Sequence, residues 1–74
     1  MKEDKLSFKK RDHLTPQQIK TLKLLVQGLQ NKEIAFQMGK SVSTVKQHVS
    51  GILLRLIVRT RTAAVVKAQK LGLI

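Results

Sequence analysis

The chain has 74 residues, room for one small domain, and no cysteine, so disulfides and thiolate metal sites are excluded. Fifteen lysines and arginines stand against four acids for a net charge of +11, and 42% hydrophobic residues is too apolar for a disordered tail. No run reaches the roughly 18 apolar residues of a membrane span, and Lys2 and Lys5 are not followed by a signal peptide's apolar core.

The charge is unevenly spread. Residues 1–13 hold five basic and three acidic side chains, while residues 14–74 hold ten basic ones and a single carboxylate, Glu33. A folded body so charged repels itself unless a polyanion lies against it. Duplex nucleic acid is the first candidate partner, an anionic membrane the second.

In chain order, "MKEDKLSFKKRDH" (1–13) mixes both charges without a period and reads as a flexible tail or linker, with Leu6 and Phe8 available to dock on the body. "LTPQQIKTLKLLVQG" begins with a helix start: Thr15 can cap, and Pro16 suits the first helical position. Ile19, Leu22, Leu25, Val26 and Leu29 follow at spacings of three and four, and Gly28 is placed to end the helix. "NKEIAFQMGKS" predicts a short second helix capped by Asn31, with Ile34, Ala35 and Met38 inward and Glu33 in the first turn, where its charge suits the helix dipole. Gly39 makes the turn and Ser41 caps a third helix from about Val42 to Leu56. After the loop "VRTR", Thr60 can cap a fourth helix over about Arg61 to Leu71, with Ala64, Val65, Ala68 and Leu71 inward and Gly72 at its end. The expected fold is all-α: four short helices and no strand.

At about 100° per residue the third helix sorts into three arcs. Val42, Val45, Val49, Ile52, Leu53 and Leu56 share one, predicted buried. Ser43, Lys46, Gln47, Ser50 and Leu54 share the second; Thr44, His48, Gly51 and Arg55 the third. The spacing Ala35, Gly39, Val45 is the steric skeleton of a helix-turn-helix: a small residue for a close crossing, a glycine for a positive-φ turn, a branched apolar anchor on the next helix. A recognition helix buries one arc and presents another to the major groove, where lysine donates to guanine and glutamine reads adenine. Ser43, Lys46, Gln47 and Ser50 meet that demand, and the helix carries no acid to be repelled by phosphate.

The blocks "LTP", "G" then "NKEIA", "S" then "TVKxHV", "IL" then "L", "V" and "RTxAV" stand in order over residues 14–74. In these the chain resembles the DNA-binding domain of the LuxR/NarL/FixJ (GerE-type) bacterial transcription regulators. The resemblance implies a four-helix domain whose third helix enters the major groove, often as a dimer on paired half-sites. By position it places Lys46, Gln47 and Ser50 against bases, joined by Ser43 from the arc reading. Lys32, Thr44, His48, Arg59 and Arg61 fall near the DNA backbone. The fourth helix helps dimerisation, which points to Val66, Lys67 and Lys70, and RNA polymerase is a further expected partner. No cofactor is implied, and the expected location is the cytoplasm. The chain departs from the family pattern at Gln18, commonly a Glu that pairs with a basic residue of the fourth helix; here only a neutral bond to Arg61 or a neighbour can form. Ile57 stands where a turn former is usual, and Leu54 where a charged residue is common.

Other functions fit less well. His13 and His48 are the only histidines and three of the four carboxylates precede Leu14, so neither a metal site nor an acid–base pair converges and no enzyme is expected. A membrane-surface helix would want a continuous apolar face with Trp or Phe, and turn glycines interrupt this one. A module that holds a partner regulator would bind DNA only weakly and without salt dependence. Leu54, Ile57 and Val66 are expected to be exposed, most simply as incidental surface or packing, with a partner interface as the alternative.

Overall fold

The computed structural model describes residues 14–74; the segment 1–13, read above as a tail or linker, lies outside the described residues. Four helices follow one another: α1 (Pro16–Val26), α2 (Asn31–Met38), α3 (Val42–Leu56) and α4 (Arg61–Lys70), with no strand among the described residues.

Each helix begins on local cap chemistry. Thr15 and Gln18 form a reciprocal capping box at α1: the Gln18 N–H donates to Thr15 Oγ1 at 3.1 Å and the Thr15 N–H to Gln18 Oε1 at 2.9 Å. Gln18 thus makes its neutral bond to a neighbour, not to Arg61. Ser41 accepts from the Thr44 N–H and Thr60 from the Ala63 N–H, each at 3.0 Å. The start of α2 differs from expectation. Gln30 is the cap, its N–H donating to Glu33 Oε1 at 2.8 Å, and Asn31 is already helical. That releases the Asn31 carboxamide for a distant partner.

The core is one cluster of Leu14, Leu22, Leu25, Ile34, Ala35, Val45, Val49, Ile52, Leu56, Ala64, Ala68 and Leu73. Each fully buried aliphatic side chain contributes about 1.5–3 kcal/mol. Leu14 and Leu73 close it at the two ends of the described chain. Thr21, not foreseen as a core residue, is fully buried; its hydroxyl donates to the Gln17 carbonyl at 2.8 Å and lies 3.4 Å from Met38 Sδ. The burial is tolerable because the hydroxyl finds a partner one turn back. Val42 also departs from its predicted arc. It is 39% exposed at the first position of α3, whereas Val45 in the same turn is fully buried.

Helix α3 packs against all three others, and α1 does the same, while α2 and α4 make no close backbone approach among the described residues. The Gln18 side chain of α1 lies over Gly51 of α3, where an added Cβ would meet Gln18 Nε2 at 2.5 Å.

Helix α3 ends on Ile57, which takes the left-handed conformation (φ 57°, ψ 52°) and is 83% exposed. The turn returns the Val58 N–H to the Leu53 carbonyl at 3.0 Å and starts the chain toward α4. A β-branched residue there carries roughly 1–2 kcal/mol of strain and has few contacts to offset it. Ile57→Gly is therefore expected to stabilise the domain by about 0.5–1 kcal/mol, net of glycine's larger unfolded-state entropy, raising Tm by roughly 2–8 °C. A thermal melt showing an unchanged or lower Tm would remove strain at Ile57 from the account.

Candidate nucleic-acid interface

One side of α3 is fixed by the core. Val45, Val49, Ile52 and Leu56 are buried, so the opposite arc must face outward. Ser43, Lys46, Gln47, Ser50 and Leu54 occupy it, and all five are exposed. Among the described residues nothing hydrogen-bonds the side chains of Ser43, Lys46, Gln47 or Ser50, so their donors and acceptors stay available for a ligand. Thr44, His48 and Gly51, on the flanking arc, are half-buried.

The stripe sits on a stiff mount. Gly39 adopts φ 66° and brings the Lys40 N–H back to the Ala35 carbonyl at 2.9 Å, which sets the angle between α2 and α3. Ala35 and Val45 are both in the core, as the helix-turn-helix skeleton requires. Ser41 Oγ also donates to Thr44 Oγ1 at 3.0 Å, which leaves the Thr44 hydroxyl proton free to donate outward.

The cations around this stripe divide into two groups. Lys32, near the start of α2, and Arg59, in the α3–α4 loop, are exposed. So is Lys40, in the turn directly ahead of the α3 cap, which the sequence reading passed over. Its signal was available: a lysine immediately before a cap serine stands at the positive end of a helix dipole.

Arg61 and Lys67 behave differently. Arg61 is half-buried; its Nη1 donates to Asn31 Oδ1 at 2.8 Å and its Nη2 to the Leu29 carbonyl at 3.1 Å. It bridges the start of α4 to the α1–α2 connection. Lys67 Nζ donates to the Leu56 carbonyl at 2.8 Å, capping the C-terminal end of α3. Its ammonium is directed at its own chain, while Val66 (46% exposed) and Lys70 point outward from α4.

Among the described residues no group of three or more His, Cys, Asp or Glu side chains could hold a metal ion, and no helix is long and apolar enough to cross a membrane. A depression of about 370 Å³ lies between α1 and α2, lined by Gln17, Lys20, Lys23, Leu24, Gln27, Gln37 and Met38. It offers no carboxylate, histidine or hydroxyl, so it has no acid–base pair. The outer arc of α3 presents Ser43, Lys46, Gln47 and Ser50 side by side, and Lys32, Lys40 and Arg59 are exposed on the segments before and after α3.

Comparison with known proteins gives matches over the same elements. Residues 12–68 match the model of the family described as bacterial regulatory proteins, luxR family. The chain is 44% identical over 59 residues to the transcriptional regulatory protein LnrK of Bacillus subtilis, covering 80% of this chain and 27% of that protein. It is 43% identical over 61 residues to the response regulator protein VraR of Staphylococcus aureus, covering 82% and 29%. It is 38% identical over 63 residues to the HTH-type transcriptional regulator AlkS of Pseudomonas putida, covering 85% and 7%. The chain therefore spans less than a third of the length of each of these relatives.

Proposed function

The chain belongs to the luxR family of bacterial regulatory proteins as a DNA-binding helix-turn-helix domain of transcription regulators, and on that premise we propose that α3 enters the major groove and reads bases through Lys46, Gln47, Ser50 and Ser43. The observation that carries this reading is the exposed arc of α3, where donors and acceptors have no partner among the described residues and no acid is present. Gln47 suits a bidentate contact to adenine and Lys46 a donor contact to guanine. Lys32, Lys40 and Arg59 grip the phosphates on either side, with Thr44 and His48 on the flanking arc. Arg61 supports this grip chiefly by holding α4 against the α1–α2 connection.

Two copies bind paired half-sites about one helical turn apart, with Val66 and Lys70 on the outer face of α4 forming the contact between them and Lys67 behind it. The relatives are named as transcription regulators, so binding serves control of transcription, with RNA polymerase as a neighbour on the same DNA in the cytoplasm.

Reading and gripping separate experimentally. Gln47→Ala should reduce discrimination at one or two base positions by roughly 1–3 kcal/mol, with little change on a scrambled duplex. Arg59→Ala should weaken binding to both duplexes alike and lower the salt slope by about one unit. Each variant is titrated against specific and scrambled duplexes at several salt concentrations. Loss of affinity in the same proportion for both duplexes in both variants would mean that the outer arc of α3 does not read bases.

A further inference from the structure

We infer that Leu54 is a base-reading residue that recognises the C5-methyl group of a thymine at the far end of the half-site. The inference rests on the proposed reading of α3 and adds to it a residue with no hydrogen-bonding capacity. Leu54 is 79% exposed although the core of α3 lies only two residues away, at Ile52 and Leu56. At about 100° per residue it lies within roughly 40° of Ser43, Gln47 and Ser50 on the outer arc, between Ser43 and Gln47, with Lys46 roughly 80° away. It stands one turn beyond Ser50 and two beyond Gln47, about 10 Å along the axis from Gln47, or roughly three base-pair steps.

The chemistry narrows what Leu54 can contact. It has no donor for a phosphate or a base acceptor and no acceptor for an amino group. Among the groups that the four bases present in the major groove, the thymine methyl is the apolar one. Leu54 continues the polar arc one turn beyond Ser50, whose side chain has no partner among the described residues. Continuity with the polar arc therefore favours DNA as the occupant.

The test begins with the 74-residue chain selecting its preferred half-site from a randomised duplex pool. Each thymine of that site is then replaced by deoxyuridine, which removes only the methyl group. The wild-type chain should lose about three- to fivefold in affinity at one thymine, at the end of the half-site away from Ser43, as expected for one buried methyl. Leu54→Ala should lose a comparable factor on the thymine duplex and show no further loss on the deoxyuridine one. Its melting temperature should be unchanged, because the side chain is exposed. A wild-type chain indifferent to every deoxyuridine would overturn the inference. So would Leu54→Ala retaining full sensitivity to the methyl; either result would move Leu54 to a protein contact while leaving base reading by Gln47 intact. A pool that yields no preferred sequence would overturn the proposed function together with this inference.

Discussion

Val45→Asp is expected to unfold the domain, whereas Val42→Asp, three residues earlier on the same predicted arc, should leave it folded. Val45 is fully buried, in the same core cluster as Ala35 and Ile34. A carboxylate there loses its hydration and finds no cation in compensation, and the apolar contacts of valine are lost as well. Burial of an unpaired ion costs several kcal/mol, and a lost aliphatic side chain adds about 1.5–3. A domain of this size is stable by only about 4–11 kcal/mol, so little or no margin remains. Val42 is 39% exposed at the first position of α3. An aspartate there stays hydrated and faces the positive end of the helix dipole. Circular dichroism separates the two: the helical signal should be lost for Val45→Asp and kept for Val42→Asp. A folded Val45→Asp chain melting within a few degrees of the wild type would remove Val45 from the core.

Arg61→Ala is expected to lower stability first and DNA affinity only as a consequence. Its guanidinium satisfies Asn31 Oδ1 and the Leu29 carbonyl across a gap between α2 and α4 that no backbone contact closes. Hydrogen bonds to a charged group contribute about 1.5–3 kcal/mol, and the half-exposed setting reduces the sum of two. A loss near 2 kcal/mol is expected, which corresponds to a fall in Tm of roughly 8–16 °C. Arg61→Lys should recover only part of it, since one ammonium cannot match a fork aimed at two acceptors. The measurement is a thermal melt of both variants without DNA. An Arg61→Ala domain with the Tm of the wild type but weaker binding to every duplex would return Arg61 to the role of a plain phosphate contact.

The contrast between these residues shows what could be read from the chain alone. The helices, their Thr15, Ser41 and Thr60 caps and their glycine stops rest on interactions within four residues of one another, so the sequence carries them directly. The exposed arc of α3 was legible for a related reason. Once Val45, Val49, Ile52 and Leu56 are committed to one side of a helix, geometry leaves the other side to Ser43, Lys46, Gln47 and Ser50. The family blocks carried the helix-turn-helix as well, because Ala35, Gly39 and Val45 are close in sequence.

What the tertiary structure decided lies in long side chains and helix ends. Arg61 could reach a phosphate, Gln18 or Asn31, and only the approach of α4 to the α1–α2 connection selects Asn31 and Leu29, some thirty residues away. Lys67 reads as a surface lysine until the end of α3 places the Leu56 carbonyl beside it. Val42 has the spacing of a core residue yet is 39% exposed, and Thr21 of α1 has a polar side chain yet is fully buried, 3.4 Å from Met38 Sδ of α2. Ile57 is held in a conformation unsuited to its side chain because the chain must turn there to pack Ala64 and Ala68 against the core. Helical period and cap chemistry are properties of a few adjacent residues; the partner of a flexible cation and the cover over a helix end depend on which distant segments arrive, and that is set by the packing of the whole domain.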